Sequence, residues 1–194
     1  MTRRLPIVAT IVVGLAVATM IALGVWQLGR MREKEAQLAR YAQATAMSSD
    51  VPWPRTAAER DRALYRHSTI TCERVFGTAA RAGRSAEGAS GWAHIARCAL
   101  ADGGEAQVAL GWSADPAARE WPGGAVPGFI GPAGDGVRLV AAPPQAGLAQ
   151  LAPPDPRELP NNHLSYAVQW FLFALTALVI YALALRSRWR ARRG

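Results

Sequence analysis

The sequence predicts a membrane protein of the α+β class, with two transmembrane helices flanking an extracytoplasmic, mainly antiparallel β domain. Three observations predict it. Two long apolar runs, Leu5–Leu28 and Leu164–Leu185, hold no charged residue. Arginines cluster at the two chain ends, and strand-like patterning is confined to the middle.

Each run is long enough to cross hydrocarbon. At the helical rise, Leu5–Leu28 reaches roughly 36 Å and Leu164–Leu185 roughly 33 Å, against a core of about 30 Å. Backbone amides in lipid must be satisfied within the segment, so both runs are expected as helices. Positive residues beside a span stay on the cytoplasmic side. Arg3 and Arg4 precede the first run, and Arg186, Arg188, Arg190, Arg192 and Arg193 follow the second. Both signals place both termini inside and the middle outside. A cleaved signal peptide is the competing reading of the first run, with Ala16-Val17-Ala18 as a formal cleavage site. Against it, the apolar stretch continues well past Ala18 and exceeds the usual signal core.

The net charge of +8 points at first to nucleic acid. Position overturns that. All 14 acidic residues fall between Met31 and Pro160, a stretch whose Lys and Arg also number 14 of the total 22. The middle is therefore neutral and lacks the basic face a nucleic-acid binder needs. Its partner is the lipid bilayer, and no nucleic acid is expected.

The chain divides into a helix at 5–28, a β-rich external domain at 29–163, a helix at 164–185 and a basic tail at 186–194. Gly29–Met47 continues the first helix into water on good helix formers, and Pro52 and Pro54 end it. Ala57–Leu64 adds a short helix. Tyr65–Phe76 reads as a strand stopping at Gly77, followed by a polar loop at Arg81–Gly91. Trp92–Leu100 and Ala106–Trp112 form a hairpin about Asp102-Gly103-Gly104. Val126–Ile130 and Val137–Ala141 are further short strands, giving a small barrel or curled sheet. Gln145–Pro160, with four prolines, is an extended arm.

Enzyme signatures are lacking: there is no phosphate-binding loop, dinucleotide fingerprint, zinc-protease His pair or nucleophile elbow. No catalytic residue is expected. Cys72 and Cys98 are the only cysteines, and each falls on an expected strand. Outside the cytoplasm a disulfide between them is one reading, and unpaired buried thiols are another. A soft metal site with His94 and His67 is a third, though the spacing fits no standard zinc pattern.

The outer ends of the two membrane helices carry the richest chemistry. His163, Tyr166 and Trp170 stand at i, i+3 and i+7 and share a helix face. Ala167 and Ala174 extend that face with small residues, admitting a second helix or a flat ligand. Two readings stay open. The aromatic rings could simply sit at the membrane interface, or His163 could bind a ligand, since ionisable groups near membrane depth call for a reason.

The same residues carry a resemblance. Gly24, Trp26, Gln27, Leu28 and Arg30 match a Gly-x-Trp-Gln-Leu-x-Arg signature. Asn161, His163, Leu164, Tyr166, Ala167, Trp170 and Phe171 match an Asn-x-His-Leu-x-Tyr-Ala-x-x-Trp-Phe signature. Gly111-Trp112 and Gly91-Trp92-Ala93-His94-Ile95 match two strand segments. Together they resemble the Surfeit locus protein 1 family, membrane proteins that assist cytochrome c oxidase assembly. Ala109 and Leu110 stand where the family usually has Asn-Arg, and its Thr-Pro is missing near Arg97 and Cys98.

The resemblance implies an assembly factor of a bacterial plasma (inner) membrane, with its domain in the periplasm. Its expected cargo is haem a, bound for oxidase subunit I, with haem a synthase as a further partner. His163 would face the haem iron, Tyr166 and Trp170 the macrocycle, and Arg30 or Arg157 the propionates. Two readings from other classes stand beside it. One is a cofactor-free scaffold holding an oxidase subunit during maturation. The other is a redox or copper enzyme using Cys72 and Cys98, disfavoured by the lack of a C-x-x-C motif.

Overall fold

The computed structural model describes residues 6–191, so Leu5, Arg3, Arg4, Arg192 and Arg193 lie outside the described residues. The described residues form two compact units, one of residues 6–37 with 160–191, the other of residues 38–159.

The first unit holds α1 (Ile7–Thr45) as far as Gln37 and all of α3 (His163–Ala191), both helices long and apolar enough to cross a membrane. Most of their side chains are exposed, as surfaces made for lipid are. Shielding follows a repeat of seven. Val13, Val17, Met20, Gly24, Gln27 and Met31 are covered on α1, and His163, Ala167, Trp170, Ala174, Ala177 and Tyr181 on α3. Alternating steps of three and four keep one seam facing a partner helix. The helices run antiparallel, since Gln27 meets His163 at one end and Thr10 meets the Tyr181 hydroxyl at the other. Ala167 and Ala174, expected to admit a helix or a flat ligand, lie against a helix and are buried.

The second unit is a closed five-stranded barrel, preceded by α2 (Ala57–Ala63). A full capping box starts α2: the Thr56 hydroxyl accepts from the Glu59 amide and the Glu59 carboxylate from that of Thr56. The strands are β1 (His67–Arg84), β2 (Ser90–Leu100), β3 (Glu105–Ser113), β4 (Gly124–Ala133) and β5 (Gly136–Ala141). Around the barrel they follow the order β1-β2-β3-β5-β4, closing back on β1. All neighbours are antiparallel except β3 and β5, which run parallel over Val108–Leu139 and Ala109–Val140. This is a five-stranded barrel of the OB type.

Two sequence expectations change here. β1 does not stop at Gly77 but bends there, at a register shift between Val75 and Gly77, and continues to Arg84. Its first part pairs with β4 and its second with β2, so one strand serves both sides of the barrel. The loop expected at Arg81–Gly91 is consequently strand at both ends, with only a tight turn between. The arm at Gln145–Pro160 is also held to the barrel. Ala149 bridges to Trp112, Leu151 bridges to Ser85, and Pro156–Glu158 winds into a 3-10 turn.

Inside the barrel, Ile70, Leu100, Val108, Leu110, Val126, Ile130 and Leu139 form the core. Cys72 and Cys98 are buried within it and joined by a disulfide, their Cα atoms 5.5 Å apart. A second cluster, of Ala93, Ile95, Ala109, Val140 and Leu151, lies between barrel wall and arm. The family-like glycines serve that wall. A Cβ on Gly91 would meet the Trp112 indole at 2.6 Å, and one on Gly111 would meet Leu148 and the Ala149 carbonyl. Ala109 and Leu110, where the family pattern is polar, are fully buried apolar residues in this chain.

Candidate functional site at the end of the helix pair

The site forms because one helix contributes a glycine where the other contributes an aromatic ring. A Cβ at Gly24 would stand 2.6 Å from the Phe171 ring, so only glycine lets Phe171 lie against α1 at this level. One turn on, Gln27 and His163 face each other, and His163 Nδ1 lies 2.8 Å from Gln27 Oε1. With Oε1 accepting, Nδ1 carries a proton and Nε2 is the ring nitrogen left for another partner. A histidine held this way has its orientation and tautomer set by a neighbour, as histidines that ligate metals generally do.

Trp170 lies on the shielded seam with His163, and its ring meets Phe173 edge-on at 6.1 Å. Tyr166, predicted on the same face, stands at its flank and is 52% exposed. Trp26 on α1 is similarly open. Arg30 is exposed and paired with Glu33 one turn along. An exposed i, i+3 pair contributes little and exchanges readily for another partner. Gln27 is the residue whose role the sequence did not reveal. It appeared only as a letter of a motif, and its function depends on a contact with a residue 136 positions away.

Gly24→Leu should force Phe171 off α1 and weaken the helix pair by about 1–3 kcal/mol. The check is oxidative cross-linking between cysteines placed at Thr10 and Tyr181. Its yield should fall clearly in the Gly24→Leu background.

The other candidates lie in the barrel unit. Arg157 grips Asp155, with Nε at 3.0 and 3.1 Å from the two carboxylate oxygens. That bonding, with the Arg157 amide, holds the Asp155 carboxyl below its usual range. The Arg157 guanidinium is thus already engaged. His67 bonds Asp50, whose carboxyl is held low first by the Thr69 hydroxyl and then by His67. His94 is fully buried and its Nε2 lies 2.8 Å from the Ser113 hydroxyl. Cys72 and Cys98 bond each other, and among the described residues no three His, Cys, Asp or Glu side chains converge on a metal position.

A β-barrel joined to two membrane-length helices, with a half-buried polar pair at the helix seam, defines a membrane protein of the α+β class. The chain belongs to the SURF1 family, whose sequence model matches residues 14–175. No curated protein sequence matches it. The family is associated with cytochrome c oxidase assembly and is one of assembly factors.

Proposed function

We propose that this protein serves oxidase assembly by holding haem a at the outer end of its helix pair and passing it to subunit I. The observation that carries the reading is the bond from His163 Nδ1 to Gln27. It leaves Nε2 as the ring nitrogen free for a ligand, and imidazole is the group that most often faces haem iron. Trp170 and Tyr166 on the adjoining helix face offer aromatic surface to a flat macrocycle. Arg30, whose bond to Glu33 is exposed, supplies a guanidinium for a propionate. The cargo brings its own redox chemistry. What the chain supplies is a ligand, an apolar wall and a counter-charge. Flanking arginines support an orientation in a bacterial inner membrane with both termini cytoplasmic and the barrel in the periplasm. Haem a synthase would then be the donor.

The test is haem content per protein after purification from cells that make haem a. His163→Ala should lose most of the Soret absorption. Gln27→Ala should retain the ligand but lose its orientation, lowering affinity about tenfold or more. Equal haem in wild type and His163→Ala would remove the reading. An oxidase subunit co-purifying with a haem-free protein would favour the scaffold instead.

A further inference from the structure

The barrel carries a groove of about 730 Å³, between the end of β1, the β5 face and the proline-rich arm. A volume of this size suits a small organic molecule. Its charges are not balanced. Arg84 faces Glu158 at 3.9 Å, and Asp155 is taken by Arg157. Arg138 has no such partner. It stands on β5 between Val137 and Leu139, and its Nε is sealed from solvent with no acceptor. Elsewhere on the barrel Arg55, Arg97 and Arg119 each face a carboxylate at 2.6–3.9 Å. Among the described residues Arg138 faces none. Burial, and then the charge of Arg81, draw its guanidinium below its usual range. A partly buried cation without a counter-charge is costly to maintain, and a planar guanidinium opening on a groove is suited to grip an oxyanion with two bonds.

We propose that this groove binds a small molecule bearing one oxyanion, a carboxylate or a phosphate, on an apolar body. The oxyanion meets Arg138, and the body lies along Val140, Leu151 and Pro153. One oxyanion fits because, of the charged residues lining the groove, Arg138 alone faces no opposite charge, and Arg81 beside it adds to the positive field. Every residue involved lies in the barrel unit, so the site is independent of the haem reading.

The full chain in neutral detergent is titrated calorimetrically with 4-phenylbutyrate, phenyl phosphate and uncharged 4-phenylbutanol, each against empty micelles. At least one anion should bind and the alcohol should not. Stronger binding of the first or second anion identifies the head group as carboxylate or phosphate. Arg138→Gln should weaken binding about 10- to 100-fold, and Arg138→Lys should fall between, keeping charge but losing the fork. As a check that needs no variant, the bound anion should slow phenylglyoxal modification of Arg138 while leaving exposed Arg62 unchanged. Absence of anion binding, unchanged binding in Arg138→Gln, or equal modification with and without anion would overturn the proposal.

Discussion

Replacing Cys72 and Cys98 together by alanine should destabilise the barrel by about 3 kcal/mol, since the bridge closes a loop across a sequence separation of 26. The bond links β1 to β2 in the barrel interior, so its loss also leaves two small gaps among fully packed neighbours. Denaturant unfolding of the full chain in neutral detergent, followed by tryptophan fluorescence, reads the change. The wild type with a strong reductant during unfolding should approach the double variant, and the double variant should ignore the reductant. Equal midpoints for oxidised wild type and double variant would show that the bridge contributes nothing to stability.

Gly128→Ala is expected to cost a comparable amount, about 3 kcal/mol, through overpacking. Gly128 shares the inward face of β4 with Val126 and Ile130, and pairs with Ser68 of β1 and Ala141 of β5. A Cβ there would stand 2.2 Å from the Val140 carbonyl oxygen and 2.9 Å from its carbon. Both are backbone atoms held in the ladder, so no rotamer change relieves the clash. The strands must part where β4 is bonded on both sides. The same unfolding measurement checks it, with Gly134→Ala as a control at a turn where a Cβ meets nothing but φ is +59°. That control should cost about 1–2 kcal/mol, from the left-handed backbone alone.

The helices and the strand-rich middle were legible because each rests on local pattern, whereas the Cys72–Cys98 bridge was one of three open readings that only the pairing of β1 with β2 decides. Charge-free runs make membrane helices whatever their surroundings, and apolar alternation at Val108–Leu110 or Val137–Ala141 makes strands. What escaped depends on distant partners. Gly77 looks like a strand terminator, yet it is a bend, because β1 must leave β4 and join β2. The parallel pairing of β3 with β5 has no local signature. At the helix site, spacing along α3 gathered His163 and Trp170, but Gln27 acquires its role only from the antiparallel docking of α1. Arg138, within the strand expected at Val137–Ala141, drew no reading from the sequence, and only the groove beside it gives it a meaning.

The last strand and the arm after it also dictate when the barrel can be finished. A nascent chain made only as far as β4 can already pair β1 with β2, β2 with β3, and β4 back onto β1. The gap between β3 and β4 must wait for β5, and the bridges to Trp112 and Ser85 must wait for Ala149 and Leu151. Closure therefore comes late in synthesis, just ahead of the second greasy segment. A ribosome stalling before codon 136 would release an open, sticky half-cylinder, a natural client for chaperones and proteases.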